Sequence, residues 1–346
     1  MENKDIITTL PELPGIRFRH FEGERDYPAM VELWSAMCAA GFGEGAYTVE
    51  DMRIDYRHLS NCDPFRDLLI AEQGGEVIAY ARAFWEQVGS QKVFYQLINR
   101  LPGKTSLSVS EALLGWLEAR QQEIALEMTD SGAHIFAQSC DQSDRERCAM
   151  LENAGYSAVR WFFSMSRDLE QIPDVDLPEG LEIRPALPGE YHRVWERGNE
   201  AFSEHWGYVE QREEDYQNGK EGRWFQPMLW QVAWDGGEPV GQVNNFIDML
   251  ENEKTGKLRG YTEGISVLKP YRGKGLARAL IARSLRMLRA MNLQEAALTV
   301  DAGNASGALK LYENMGYRTY RTMVEWHKAM PAMQKEMLRL HGPRTM

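Results

Sequence analysis

A short basic and glycine-rich stretch has the residue types that an anion-binding site requires. An apolar strand pattern ends just before it, and a helical pattern begins directly after Gly275. The start of a helix presents free backbone N–H groups and the positive end of the helix dipole, and glycine lets a ligand approach the backbone closely. The stretch predicts a phosphate or pyrophosphate site, the alternative being a tight turn with solvated basic side chains. Its residues are Arg272, Gly273, Lys274, Gly275, Leu276 and Ala277.

This pattern differs from two common nucleotide-binding loops. The sequence lacks the G-x-x-x-x-G-K-(S/T) motif, and the stretch does not have the three glycines of the dinucleotide fingerprint. Neither a P-loop nor a Rossmann-type site is therefore predicted.

The elements that must position the turn follow from the apolar periodicity of the second half of the chain. Antiparallel strands come first and a strand-helix-strand-helix order follows, which indicates a mixed α/β fold. The predicted order is a strand near 181–185, one or two helices over 189–218, a hairpin over 229–248, a strand over 257–268, a helix over Leu276–Ala290, a strand over Ala296–Val300, a helix over Ala305–Met315 and a strand from Tyr317.

The chain contains one internal repeat. Gly-Gly pairs inside apolar hairpin patterns lie at 74–75 and 236–237, a separation of 162 positions. A helix pattern that stops at glycine ends at Gly155 and again at Gly316, 161 positions later. Matching first strands begin near Ile16 and Leu181. These collinear similarities predict domains at 1–170 and 181–330, a Pro- and acid-rich linker at 171–180 and a C-terminal tail at 331–346.

Two motifs in the second copy resemble those of the GNAT family of acyl-CoA-dependent N-acetyltransferases. Arg272-x-x-Gly275-x-Ala277 fits the family pattern (Q/R)-x-x-G-x-(G/A). The tandem arrangement resembles that of two-domain members such as mycothiol synthase-like proteins, which suggests an architecture but no substrate. The second motif consists of Asn304, Ala308, Tyr312, Gly316 and Tyr317.

The resemblance implies two tandem GNAT-like α/β domains, each with a central mixed, mainly antiparallel sheet and helices on both faces. It implies acetyl-CoA as cosubstrate and no metal, with the pantetheine arm lying between the strand that ends at Val267 and the strand Ala296–Val300. Asn304 would contact the pantetheine or, alternatively, cap the following helix. The expected cofactor contacts are Ile265, Ser266, Val267, Arg272, Gly273, Lys274, Gly275, Leu276, Ala277 and Asn304.

Two residues are candidates for the proton transfers that the resemblance implies. Tyr312 occupies the position where this family often has a general acid, and a phenol is protonated at neutral pH. Strand alternation places Glu263 on one face with Ile265 and Val267, so it is the first candidate for the general base. The alternatives are a core tyrosine, a solvated carboxylate, and Tyr261 or Asp248 as the base.

The first copy lacks the equivalents of these residues. Residues 105–110 stand where the glycine-rich turn should be, Leu151 stands opposite Tyr312, and Ser143 stands opposite Asn304. The first copy is therefore predicted to keep the fold without a working coenzyme A site.

The segment after the first strand of the second copy is expected to line the acceptor pocket. It mixes aromatic and acidic residues, which attract ammonium groups, although such residues also form cores and solvated helix faces. The candidate acceptor contacts are Glu204, His205 and Trp206.

These features predict acetyl transfer from acetyl-CoA to a primary amine of a small molecule. The alternatives are a non-catalytic acyl-CoA-binding sensor and a protein N-acetyltransferase. The acceptor, the acyl length and the oligomeric state are left open.

Composition bounds the remaining possibilities. The 346 residues carry a net charge of -12 and no Lys/Arg-rich cluster, so no nucleic-acid partner is expected. Apolar runs are too short for a membrane span, and residues 1–5 do not resemble a secretory signal. The four cysteines match no zinc or redox spacing. A cytoplasmic protein without a membrane partner is the simplest expectation.

Overall fold

Apolar β-runs and amphipathic helices combine into a mixed α/β architecture, seen in a computed structural model that describes residues 10–128, 133–304 and 306–331. The predicted tail lies outside the described residues except for Pro331, as do residues 1–5. No helix in the described ranges is both long and apolar enough to cross a membrane. In chain order the strands are β1 (Ile16–His20), β2 (Leu68–Gln73), β3 (Glu76–Val88), β4 (Gln91–Arg100), β5 (His134–Asp141), β6 (Ser157–Asp168), β7 (Glu182–Arg184), β8 (Gln231–Asp235), β9 (Glu238–Phe246), β10 (Arg259–Val267), β11 (Glu295–Asp301) and β12 (Arg318–Ala329).

The helices lie between some of these strands, with short 3-10 turns between some elements. They are α1 (Tyr27–Ala39), α2 (Val49–Arg57), α3 (Pro64–Asp67), α4 (Leu107–Glu127), α5 (Arg145–Asn153), α6 (Tyr191–Phe202), α7 (Glu213–Glu221), α8 (Met249–Thr255), α9 (Leu276–Ala290) and α10 (Ala308–Asn314).

The chain divides into two compact units, and each unit consists of more than one stretch of the sequence. Of the described residues, unit 1 contains 10–43, 59–128, 133–159 and 325–331, and unit 2 contains 44–58, 160–304 and 306–324. The predicted linker 171–180 is irregular, and its apolar side chains Ile172, Val175 and Leu177 pack on the core of unit 2.

Unit 1 contains a mixed sheet whose order is β1-β2-β3-β4-β5, followed by β12. The first four strands are antiparallel, and β4 pairs with β5 in parallel. Helix α4 buries Leu113 and Leu117 against strand residues such as Phe94 and Phe136, and Trp326 from β12 packs on the same cluster.

Unit 2 has the corresponding order, β7-β8-β9-β10-β11, followed by β6. Strands β7 to β10 are antiparallel, β10 and β11 are parallel, and β11 pairs antiparallel with β6. The predicted mixed, mainly antiparallel sheet is confirmed in both units.

Helices cover both faces of the unit 2 sheet. At Gly241 on β9, a Cβ would meet Leu276 and Leu280 of α9, whereas the neighbouring Gln242 side chain lies against Gly198 of α6. Residues of adjacent β positions point to opposite faces, so α9 and α6 lie on opposite sides of the sheet.

A segment from the first half of the chain completes unit 2. Helix α2 begins at a capping box in which Thr48 and Asp51 exchange hydrogen bonds. The Arg223 guanidinium, which follows α7, holds the buried carboxylates of Asp51 and Asp248 and the carbonyl oxygen of Ala46. Removing Arg223 would leave the charges of Asp51 and Asp248 buried without a cationic partner. The ion pair between Arg223 and Asp51 therefore stabilises the attachment of residues 44–58 to the rest of unit 2.

Candidate active site

The glycine-rich turn lies between the end of β10 and the start of α9. Gly273 and Gly275 have φ angles of +75° and +86°, and Gly275 is the N-cap of α9. A Cβ at either position would find no other atom within 4 Å, so the space beside this backbone is open. L-residues rarely adopt these angles, and the first N–H groups of α9 have no acceptor within the helix. The turn therefore offers several N–H donors to one anion.

A cavity of about 550 Å³ adjoins the turn. It extends from the start of α9 along the ends of β10 and β11 to α10 and the end of α6. Most of the residues that the sequence nominates line it, whereas Lys274, Glu204 and Trp206 are not among them. The nominated residues that line it are His205, Glu263, Ile265, Ser266, Val267, Arg272, Gly273, Gly275, Leu276, Ala277, Asn304 and Tyr312.

Strands β10 and β11 pair only at their beginnings. The parallel register covers Arg259–Tyr261 against Glu295–Ala297. Beyond it, β10 contains a bulge, since Glu263 lies opposite Asn244 and Ser266 opposite Gln242. Gly264, with φ of +58°, supplies the bulge. The strands thus open a slot along residues 264–267, whose backbone can pair with an extended ligand.

The bulge corrects one inference from strand alternation. Asn244 and Gln242 are two positions apart on β9 and share a face, so Glu263 shares its face with Ser266. The prediction that Glu263 shares a face with Ile265 and Val267 is therefore wrong, because one extra residue reverses the alternation.

Glu263 reaches across the slot towards β11. Its Oε1 accepts a hydrogen bond of 2.8 Å from the backbone N–H of Thr299. Burial raises the pKa of Glu263 to about 8, despite the opposing effect of the hydrogen bonds from Thr299. A carboxylate of this pKa is a much stronger base than an ordinary glutamate, and its deprotonated fraction grows as the pH rises through about 8.

Tyr312 projects from α10 into the same cavity and is otherwise buried. Its ring contacts that of Tyr317 edge to face, with centroids 6.2 Å apart. Burial, with a smaller effect of the Glu263 charge, raises the pKa of Tyr312 above its usual value. The phenol therefore keeps its proton at neutral pH and can serve as a proton donor.

The Arg272 guanidinium donates hydrogen bonds to three other residues of the chain. Its Nε donates to Val267 O at 2.9 Å, Nη1 to Glu204 Oε2 at 2.9 Å and Nη2 to Ala201 O at 3.0 Å. In this geometry the arginine joins the end of β10 to the end of α6, and its contact with the cofactor stays a prediction. The open space beside Gly273 and Gly275 makes the backbone N–H groups of the turn the first candidates for binding an anion.

Of the other residues predicted to bind the cofactor phosphate or the acceptor, one lines the cavity and the rest do not. Lys274 is exposed and lies over the Tyr271 ring, and Glu204 pairs with Lys269 and Arg272. His205 lines the cavity, and burial together with the Arg272 charge lowers its pKa, so it is neutral at pH 7. Trp206 lies beside Phe162 and beneath the guanidinium of Arg160.

Asn304 lines the cavity but does not cap α10. The N-cap is Gly307, and the Asn304 Oδ1 accepts from the N–H of Ser306 at 2.8 Å. The predicted capping role is wrong, because the helix begins at Ala308; the predicted start at Ala305 lies outside the described residues. Asn304 remains at the cavity wall.

The alternative bases have other partners. The Tyr261 hydroxyl donates to Glu251 at 2.6 Å, and Asp248 caps α8 and pairs with Arg223. Neither lines the cavity. Of the three candidates, only Glu263 has its carboxylate or hydroxyl in the slot.

Sequence reasoning missed several residues of the site. Thr299 and Asp301 at the end of β11 and Phe202 at the end of α6 also line the cavity. Arg160 holds Asp301 through two hydrogen bonds of 2.7 Å. The available signal was the position of Thr299 and Asp301 at and just after the carboxyl end of the predicted strand Ala296–Val300, where ligands commonly bind in α/β folds.

The residues present fit coenzyme A. A helix N-terminus with two positive-φ glycines suits a pyrophosphate, and the adjoining slot between parted strands suits the amides of an extended pantetheine arm. Among the described residues, no group of three or more His, Cys, Asp or Glu side chains is arranged to hold a metal ion.

Comparison with known proteins agrees with this geometry. The profile of the acetyltransferase (GNAT) family matches residues 191–317. The mycothiol acetyltransferase of Streptomyces scabiei is 31% identical over 245 residues, which cover 62% of this chain and 76% of the relative. The mycothiol acetyltransferase of Geodermatophilus obscurus is 28% identical over 268 residues, covering 76% and 82%.

Solved structures share the fold. A GCN5-related N-acetyltransferase from Sphaerobacter thermophilus superposes with a TM-score of 0.70 at 23% identity, covering 94% of this chain and 98% of that one. A tandem GNAT protein from the clavulanic acid biosynthesis pathway gives a TM-score of 0.64 at 14% identity, covering 92% and 100%.

Proposed function

The chain belongs to the GNAT family of N-acetyltransferases, and we propose that it moves an acetyl group from acetyl-CoA to a primary amine of a small molecule. One observation carries the proposal. A candidate base, Glu263, and a candidate acid, Tyr312, line a single cavity together with a glycine turn suited to pyrophosphate.

In this proposal the chain binds the cofactor mainly through its backbone. The N–H groups at the start of α9 hold the pyrophosphate, and the backbone of residues 265–267 pairs with the pantetheine amides. Bound acetyl-CoA supplies the activated thioester on which the amine acts. Asn304, Leu276 and Ala277 complete the cofactor side of the cavity.

Glu263 and Tyr312 divide the proton transfers. The acceptor reaches the site as an ammonium ion, and the Glu263 carboxylate, directly or through a water molecule, takes a proton so that the nitrogen lone pair is free. As the C–N bond forms and the C–S bond breaks, the hydroxyl of Tyr312 gives its proton to the departing sulfur, and the second proton that the nitrogen loses restores the phenol. The pKa shifts support these roles, since burial strengthens Glu263 as a base and keeps the phenol protonated.

The acceptor is assigned only to a chemical class. The two relatives described above are named mycothiol acetyltransferases, which favours a small-molecule acceptor. The net charge of -12 favours a cationic amine over an anionic one. His205, neutral at pH 7, lines the cavity at the end of α6 and is the first candidate for contacting the acceptor.

Turnover of acetyl-CoA against a panel of acceptors tests the proposal. Release of the free CoA thiol would be measured with small amines, amine-bearing antibiotics, thiol-sugar precursors and N-terminal peptides. Activity with a small amine that Tyr312→Phe strongly reduces is the expected result. Activity with peptides alone would overturn the small-molecule acceptor, and binding of acetyl-CoA without turnover of any acceptor would favour a non-catalytic sensor.

A further inference from the structure

Unit 1 repeats the parted strands of unit 2. Strands β4 and β5 pair in parallel over Lys92–Tyr95 against His134–Ala137, as β10 and β11 do at their beginnings. Aligning the first pairs of each ladder puts Gln96 at the position of Glu263 and Gln138 at that of Thr299. The side-chain amide of Gln138 donates to Oε1 of Gln96 at 3.3 Å, so a neutral amide stands in place of the Glu263 carboxylate, and its donor is a side chain where unit 2 uses the backbone N–H of Thr299.

An arginine from α5 bridges the two parted strands. Arg147 is 6% exposed; its Nε donates to Oε1 of Gln138 on β5 at 2.9 Å, and its Nη1 donates to the Ile98 carbonyl on β4 at 3.0 Å. This carbonyl belongs to the stretch of β4 that corresponds to the cofactor slot of β10. The guanidinium therefore lies between the strands, where an extended ligand would pair with the backbone.

The equivalent residue of unit 2 leaves this space open. Ala308 follows Arg147 by 161 positions, the separation that also relates Leu151 to Tyr312. Ala308 lines the large cavity of unit 2. A single helix position thus carries a long cationic side chain in one copy and a methyl group in the other.

The rest of the unit 1 slot is closed as well. Arg100 and Asp144 form a buried pair at 2.8 and 3.0 Å, and the hydroxyl of Ser106 caps α4. β4 pairs with β3 without a register shift, so it lacks the bulge of β10. The cavity that remains beside Arg147 measures about 10 Å³, against about 550 Å³ in unit 2.

We propose that Arg147 is a built-in occupant of the slot in unit 1, so that the chain binds one coenzyme A, and binds it in unit 2. The ligand's identity rests on the proposed function, whereas the occupation of the slot does not. A ligand entering unit 1 would have to displace the guanidinium and leave the Gln138 amide and the Ile98 carbonyl without their buried partner, which opposes binding.

The number of ligands per chain provides the first test. Titration calorimetry of the full chain with coenzyme A should give one site, and Gly275→Asp in unit 2 should weaken it. Two sites in the wild type, or one site whose affinity Gly275→Asp leaves unchanged, would overturn the role of Arg147. No binding at all would overturn the proposed function itself, which is a distinguishable result.

Moving the arginine provides the second test. Ala308→Arg should weaken coenzyme A binding at least 100-fold, whereas the matched control Ala308→Ser should change it less than 5-fold. Unchanged binding in Ala308→Arg would contradict the inference, because the same side chain at the equivalent position would then fail to fill the slot.

Chemical rescue tests the occupant directly. Arg147→Ala removes the atoms that ethylguanidinium supplies, so millimolar ethylguanidinium should raise the Tm of this variant and leave the wild type unchanged. An equal effect on both proteins would overturn the proposal. If Arg147→Ala does not fold, the titrations of the wild type and of Ala308→Arg still decide it.

Discussion

The Glu263 carboxylate of β10 accepts a hydrogen bond of 2.8 Å from the Thr299 N–H of β11, just beyond the point where the two strands stop pairing. A side chain here takes the place of a backbone carbonyl in the ladder. The carboxylate is therefore held at the inner end of the slot, on the strand that carries the cofactor-binding backbone. This fixed position underlies the expected pH dependence of the reaction.

Activity should rise with pH through about 8, the pKa to which burial raises Glu263. The deprotonated form is the base, so below this pH the rate falls as the carboxyl becomes protonated. Glu263→Gln should lower kcat/KM by about 10²–10³ and remove this limb of the profile. A wild-type profile that is flat between pH 6 and 9 would count against Glu263, provided that the acceptor does not itself titrate there.

Loss of the Tyr312 hydroxyl should reduce kcat with little effect on cofactor binding. Tyr312→Phe keeps the ring and its contact with Tyr317, and we expect kcat to fall about 10²-fold, as for loss of a general acid. The matched control is Tyr317→Phe, which removes a buried hydroxyl that bonds to Thr262, from a tyrosine that is not among the residues lining the cavity. Equal losses of kcat in both variants would assign Tyr312 to packing.

Charge at the glycine turn should control cofactor affinity. Asn and Asp tolerate positive φ better than other side chains, so Gly275→Asn and Gly275→Asp perturb the backbone alike. Gly275→Asp adds a negative charge where the pyrophosphate is expected, and it should weaken coenzyme A binding at least 10-fold more than Gly275→Asn. Equal affinities, measured by calorimetry at low salt, would argue against a phosphate site here.

Arg272 should affect the acceptor more than the cofactor. Arg272→Lys cannot reproduce the three hydrogen bonds to Val267, Glu204 and Ala201, so the end of α6 should shift. We expect KM for the acceptor to rise severalfold and the Kd for coenzyme A to change less. Lys274→Ala is the control for a motif charge outside the cavity lining, and it should change both constants less than about 3-fold. If Arg272→Lys loses more affinity for coenzyme A than for the acceptor, Arg272 would instead be assigned to binding the phosphate of the cofactor.

The parts of the fold that depend on local pattern were predictable. Helix α9 has the predicted bounds, because its apolar residues, such as Leu280 and Leu288, repeat with helical spacing and are buried, and because Gly275 marks its start. The mixed sheet and the cavity-lining positions of Gly275, Glu263 and Tyr312 also followed from spacing and from resemblance to a family.

Features that depend on distant contacts were not predictable. Two of the three partners of Arg272, Glu204 and Ala201, lie about 70 positions away in sequence, and no local signal indicates them. Helix α8 escaped prediction although Asp248 and Glu251 have the spacing of a capping box. Gly264 inside a strand pattern indicates a bulge, but the prediction for Glu263 assumed strict alternation along the strand.

The position of Glu44–His58 in unit 2 makes completion of that unit depend on the order of synthesis. Asp51 leaves the ribosome 172 residues before Arg223, which at typical elongation rates is about 10–30 s. Throughout that interval the nascent segment lacks the arginine that neutralises its buried carboxylate. The second half of the chain expressed alone would therefore lack fifteen residues that belong to unit 2, and Arg223 would lose the buried carboxylate of Asp51 as a partner.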